Sequence, residues 1–244
     1  MPELVCLHAA GATSAMFAGL AEQTTGRITL VTPDLPGRGS SYDRPPFLRM
    51  QDAVEYLLPV LQGRADRSYG LFGYSMGAMI AYELVCRLMD LNGPLPAVLI
   101  AAATRAPQVP ARELPLHLMD DDALIGELVR FQGTPPEMLE DSELMALVLP
   151  RLRADFQLCE TYQFAHRRQI PVPVYALGGR EDEKVTAADL AAWLPLSVMG
   201  GTFEQLPGGH FFIDMQKEAL ARRIKAMMSS LNSQGASVGS VWYG

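Results

Sequence analysis

Gly73, Tyr74, Ser75, Met76 and Gly77 set a serine between glycines two positions to either side, directly after the apolar run Tyr69 to Phe72. A serine spaced this way fits the tip of a sharp strand-to-helix turn, where small neighbours let strand and helix approach and the hydroxyl stands out above a sheet. Such a hydroxyl is a candidate acyl nucleophile. It needs a histidine to take its proton and a carboxylate to hold that histidine's tautomer. Of the four histidines, His210 lies in Pro207-Gly208-Gly209-His210-Phe211-Phe212, after the last strand-like run and before the C-terminal helix, and is the candidate base. His117 and His166 fall in a helical stretch and read as surface or core histidines. His8, at the end of the first strand, reads as a brace for the loop it opens. Between Ser75 and His210 the loop Gly178 to Val185 carries Glu181, Asp182 and Glu183 in succession. The chain order serine, acid, histidine makes this loop the source of the carboxylate, with Asp182 the choice and its neighbours solvated charges. Acyl transfer also needs two N–H donors for a developing oxyanion. Position assigns the first to Met76 and the second to Ala9, with Ala10 as the alternative, in the small-residue loop His8 to Ala12.

These groups must be carried by elements that end at one place. Leu4 to Leu7, Ile28 to Val31, Tyr69 to Phe72, Ala97 to Ala101, Val172 to Leu177 and Phe203 to Leu206 are apolar runs of strand length. Helical patterns lie between several of them: Gln51 to Gln62, Met76 to Met89, and Thr186 to Trp193 with Thr186 as its cap. This alternation predicts an α/β fold, a mostly parallel sheet covered by helices on both faces, with the nucleophile at the carboxyl end of a strand. One stretch, about 105–168, has no convincing strand. Asp120 to Phe131 is amphipathic, Pro135 and Pro136 restart the chain, and Ser142 is placed to cap a run through Leu152, Phe156 and Cys159. Leu144, Met145, Leu147, Val148 and Leu149 leave few polar positions, so the insert reads as a lid over an apolar acyl pocket. Tyr74, Leu144, Leu147, Val148 and Phe211 are its expected lining. Residues 1–231 read as one domain with this insert, and 232–244, rich in serine and glycine, as a tail.

Composition excludes several classes. At 49% hydrophobic over 244 residues there is material for one large core. The longest apolar run, Ala97 to Ala103, is too short for a membrane span, and no lysine or arginine precedes Arg27 as a signal peptide would require. A soluble cytoplasmic protein is expected, without membrane association. A net charge of −7 argues against nucleic acid. Cys6, Cys86 and Cys159 are scattered and lack histidines at metal-ligand spacing, so neither a disulfide framework nor a metal site is expected. The glycines of Leu35-Pro36-Gly37-Arg38-Gly39 do not form a phosphate-binding motif.

Taken with His8-Ala9-Ala10-Gly11, Asp34-Leu35-Pro36-Gly37-Arg38-Gly39, Leu149-Pro150-Arg151-Leu152-Arg153-Ala154-Asp155-Phe156, Gly179 to Val185 with Trp193, and the histidine loop, the chain resembles the type II thioesterases. These are free-standing α/β-hydrolases that serve polyketide and nonribosomal peptide synthases. The chain departs from the family in having Tyr74 where a histidine is usual, and Leu7, Ala10 and Gly11 in place of a proline and paired glycines. The resemblance implies an α/β-hydrolase fold and hydrolysis of acyl thioesters held on the phosphopantetheine arm of acyl or peptidyl carrier domains. It implies a Ser75–His210–Asp182 triad, an acyl-enzyme, no cofactor of the enzyme's own and an editing role. A monomer is expected. Acidic carriers would meet Arg38, Arg44 and Arg49, or Arg151, Arg153, Arg167 and Arg168. Release of a finished product in trans, small-ester hydrolysis, acyl transfer, and a binding protein on a hydrolase scaffold are the alternatives.

Overall fold

Six short strands pair into one sheet, whose four inner strands bury residues on both faces. The computed structural model describes residues 1–131, 133, 136–165 and 169–235. His166, Arg167, Arg168, Pro135 and the tail beyond Gly235 lie outside the described residues. The strands are β1 (Glu3–Leu7), β2 (Thr29–Val31), β3 (Tyr69–Tyr74), β4 (Val98–Ala102), β5 (Val174–Gly179) and β6 (Gly201–Leu206). They lie in the order β2-β1-β3-β4-β5-β6, and every pairing is parallel. In β1, Val5 and Leu7 join the core on one face while Leu4 and Cys6 join the core on the other. Central strands buried on both sides read as unbroken apolar runs, which made them visible in the sequence.

The helices are α1 (Ala18–Thr24), α2 (Met50–Gln62), α3 (Met76–Asp90), α4 (Asp121–Phe131), α5 (Pro136–Glu140), α6 (Ser142–Glu160), α7 (Ala187–Ala191), α8 (Phe212–Met215) and α9 (Lys217–Gly235). Met50, Val54, Leu57 and Leu61 of α2 and Leu84 and Leu88 of α3 cover one face with Trp193. Phe17, Leu20 of α1 and Leu220, Ile224 and Met228 of α9 cover the other. Thr186 caps α7, as the sequence predicts, and the structure adds a reciprocal bond from Asp189 that completes a capping box. Most expected bounds shift by one or two residues, and two helix ends differ in their residues' roles. Asp141, rather than Ser142, caps α6, its carboxylate accepting the Leu144 N–H at 2.9 Å. Either residue type suits a cap, but Asp141 has the extended backbone that a cap requires, whereas Ser142 is already helical. The last helix also runs to Gly235, into the stretch from 232 that the sequence reads as a tail.

Between β4 and β5 stand α4, α5 and α6, with an apolar cluster of their own: Leu116, Leu124, Leu128, Met145, Leu149 and Leu152. The strand order matters for what lies beneath. From β1 the chain steps outward to β2, then returns to the other side as β3 and proceeds to β6. The order therefore reverses between β1 and β3, where open parallel sheets leave a crevice at their carboxyl ends. Leu7 pairs with Gly73 at that edge, so the His8 to Ala12 loop and Ser75 emerge side by side. Gly179 pairs with Leu206, which brings the loops after β5 and β6 to the same edge.

Candidate active site

Ser75 sits between β3 and α3 with φ 52° and ψ −115°, a backbone state unusual for a residue with a side chain. The turn survives because its flanks are glycines. A Cβ on Gly73 would stand 2.3 Å from the Gly77 carbonyl oxygen, and one on Gly77 would stand 2.1 Å from that of Leu7. Ser75 N–H donates to Ala102 O at 2.7 Å, tying the tip to the neighbouring strand.

His210 Nε2 lies 3.3 Å from Ser75 Oγ, and its Nδ1 lies 2.8 Å from Asp182 Oδ2. A carboxylate only accepts, so Nδ1 carries the hydrogen and Nε2 presents its lone pair to the serine. The other Asp182 oxygen accepts the N–H groups of Lys184 at 2.9 Å and Val185 at 3.3 Å. Among three consecutive acids, Asp182 alone is buried. Exposed Glu181 instead holds the Gly208 N–H of the histidine loop.

Tyr74 occupies a place its expected role as pocket lining did not anticipate. It is fully buried and donates its hydroxyl to the His210 carbonyl at 2.6 Å. Its ring stacks on Phe211 at 6.4 Å and packs on Phe212 at 5.5 Å. Burial pushes its phenol well above the usual tyrosine range, so it stays a donor. Tyr74 is therefore a buttress beneath the histidine loop. Phe131, at the end of α4, meets the His210 ring edge-on at 5.5 Å.

A cavity of about 300 Å³ opens over Ser75, between the sheet edge and the inserted helices. Met145, Val148, Leu152, Phe156 and Cys159 of α6 line it at helical spacing, facing Ala9, Ala10, Met76, His210 and Phe211. Val148 and Phe211 stand where the sequence expects them. Leu144 and Leu147 do not line it, and Leu147 is 78% exposed. The reason is helical phase: Met145 and Leu149 set the buried stripe of α6, which turns position 147 outward. Met76 is the first residue of α3, so its N–H has no helical acceptor. Ala9 N–H donates to Met16 Sδ at 3.3 Å, a weak acceptor. Ala10 also lines the cavity.

The remaining groups separate into braces and surface charges. His8 is buried, its Nε2 accepting the Leu35 N–H at 3.4 Å while Nδ1 meets Ala9 O at 2.9 Å. His117 pairs with Glu160. Arg38, expected on a docking surface, is 1% exposed and bound to Asp155. Arg153 is spent on His117 O, Met119 O and Asp121, and Arg151 donates to Gly11 O. Arg49 is exposed but pairs with Asp52, while Arg44 is exposed. The sequence carries no sign of Arg38's burial, since its partner lies 117 residues away. No described helix is long and apolar enough to cross a membrane, and no described cluster of His, Cys, Asp or Glu could hold a metal ion.

Residues 2–228 match the thioesterase domain family. The gramicidin S biosynthesis protein GrsT of Aneurinibacillus migulanus is 32% identical over 210 residues, covering 86% of this chain and 82% of that protein. Among solved structures, ClbQ from the colibactin NRPS/PKS pathway is 30% identical with a TM-score of 0.87, covering 94% of this chain and 98% of its own. The type II thioesterase BorB from the borrelidin biosynthetic cluster is 30% identical with a TM-score of 0.84, over 93% of this chain and 92% of its own. The parallel sheet and its surrounding helices are thus those of the α/β-hydrolase fold. Matched along nearly its whole length in sequence and in three dimensions, the chain belongs to the thioesterase family, among the type II thioesterases, and is a thioester hydrolase.

Proposed function

We propose that this thioesterase removes stalled or mis-primed acyl groups from the phosphopantetheine arms of carrier domains, by way of an acyl-enzyme on Ser75. The observation that carries this reading is the line Ser75 Oγ, His210, Asp182 at 3.3 and 2.8 Å on the floor of a largely apolar cavity. His210 Nε2 takes the serine proton as Oγ attacks the thioester carbonyl, and Asp182 holds the ring while it is cationic. The amides of Met76 and Ala9 receive the oxyanion, Ala9 exchanging the Met16 thioether for a stronger acceptor. His210 returns the proton to the departing thiol, then activates water to release the acid.

The helices of the insert act as the lid, and the α6 stripe from Met145 to Cys159 holds the acyl chain. A cavity of about 300 Å³ stands at the small end of ligand pockets, which favours short acyl groups. Carrier substrates are supported by the neighbours, whose named pathways build their products on such carriers. The test compares hydrolysis of one short acyl group from a holo-carrier domain with hydrolysis of the same acyl group as a simple ester. Faster turnover of the carrier thioester, lost in Ser75→Ala, is expected. Much faster ester turnover contradicts the proposal.

A further inference from the structure

The loop after β1 is fastened to α6 by buried charge. Arg38 and Asp155, each 1% exposed, pair through two bonds: Nη1 to Oδ2 at 2.8 Å and Nη2 to Oδ1 at 2.7 Å. Asp155 Oδ2 also accepts the Gly11 N–H at 2.8 Å. Arg38 Nη1 reaches Ala12 O at 3.2 Å, and Arg151, one turn before Asp155, donates to Gly11 O at 3.2 Å. Gly11 therefore has its N–H and its carbonyl both held by one helix of the insert. Its φ of +73° and a would-be Cβ contact of 2.7 Å with Leu152 leave it little freedom there. Ala12 N–H donates to Ala9 O at 3.2 Å, closing a turn, so fixing Gly11 and Ala12 fixes Ala9.

None of these charged groups is hydrogen-bonded to Ser75, His210 or Asp182. A buried ion pair contributes little net stability compared with apolar residues of the same volume, because both ions lose their water. Its distinct effect here is geometric. We propose that Asp155, together with Arg38, is a positioning residue of the oxyanion hole, setting the 9–12 loop so that the Ala9 amide faces the reacting carbonyl. This makes oxyanion stabilisation depend on α6 being seated. The inference rests on the serine-hydrolase reading above.

The test replaces both charges at once, as Arg38→Met with Asp155→Leu, so that neither member of the pair is left buried without the other. Thermal melting establishes that the variant is folded. Kinetics on an acyl-pantetheine thioester and the labelling rate with a fluorophosphonate, whose phosphonyl oxygen uses the same donors, are then compared with wild type. A fall in kcat and in labelling rate of about 10- to 100-fold is expected, since misplacement of a reacting group by about 1 Å costs on that order, with KM within about twofold. Arg151→Met, which removes the hold on the Gly11 carbonyl and also alters the cavity wall, is expected to lower kcat and the labelling rate with a small fluorophosphonate by about threefold to tenfold, and the labelling rate decides the matter if the double variant does not fold. Wild-type kcat and labelling in the folded double variant, or a loss confined to KM, overturns the proposal while leaving the nucleophile in place. A wild type that is not labelled at all overturns the serine-hydrolase reading and this inference together.

Discussion

The two sides of the site are held in different ways. On the acid–base side, Asp182 is clamped by the amides of its own loop, Glu181 binds Gly208 of the histidine loop, and Tyr74 supports the His210 carbonyl from below. All of these residues belong to the edge of the sheet. On the oxyanion side, the loop after β1 takes its hydrogen bonds from Arg38 and from Asp155 and Arg151 of α6. The histidine loop thus takes its hydrogen bonds from the sheet and its loops, with the Phe131 ring of α4 packed on His210. The 9–12 loop, which carries the proposed Ala9 donor, is instead bonded to a helix of the insert. Proton transfer should survive movement of α6; the share of transition-state stabilisation proposed for Ala9 should not.

Asp182→Asn breaks the acid–base side at the partner of the His210 ring. It favours the wrong histidine tautomer, and kcat is expected to fall about 10⁴-fold with KM little changed, measured on an acyl-pantetheine thioester. The Arg38→Met, Asp155→Leu pair is the matching break on the other side, with the smaller loss already given. Comparing their pH–rate profiles sharpens the contrast: the first should alter the limb that reports the histidine, and the second should only lower the plateau.

Tyr74→Phe leaves the His210 carbonyl without its buried donor, a cost of about 1–3 kcal/mol. A lower melting temperature is expected, with a kcat loss of about tenfold or less as the histidine loop relaxes. Val148→Trp should shift acyl preference toward shorter chains, whereas Leu147→Trp, on the solvent face of α6, should leave the acyl profile unchanged. Profiles over a series of acyl-pantetheines separate the two. Equal effects would place the α6 stripe wrongly.

The smallest expected effect is on stability. Burial, reinforced by the Arg38 charge, holds His8 below the ordinary histidine value of 6.5. The unfolded chain therefore takes up this proton first as pH falls. The contribution of His8 is present above pH 6.5 and is lost as pH drops from there toward the folded value. Melting temperature should decline across that window, and His8→Asn should flatten the decline.

Much of this architecture is legible in the chain because the chemistry restricts it. A serine in a tight turn demands glycines at 73 and 77, and strands buried on two faces must be apolar throughout, so both announce themselves. Asp182 follows from chain order, although its selection over Glu181 and Glu183 depends on the amides of Lys184 and Val185. The phase of α6 is hidden, since Leu144 to Leu149 is apolar almost all round and periodicity has nothing to contrast. Arg38 reads as a surface charge because an ion pair with Asp155 leaves no local signature. Tyr74 reads as pocket lining because its partner, the His210 carbonyl, comes from a loop 136 residues later.

The nucleophile itself is the claim on which both sides of the comparison depend. Fluorophosphonate labelling followed by peptide mass spectrometry, with and without a competing acyl-pantetheine thioester, addresses it directly. The expected result is a single phosphonyl adduct on Ser75, suppressed by the thioester and absent from Ser75→Ala. An adduct on another residue, or thioester turnover that persists in Ser75→Ala, contradicts the account.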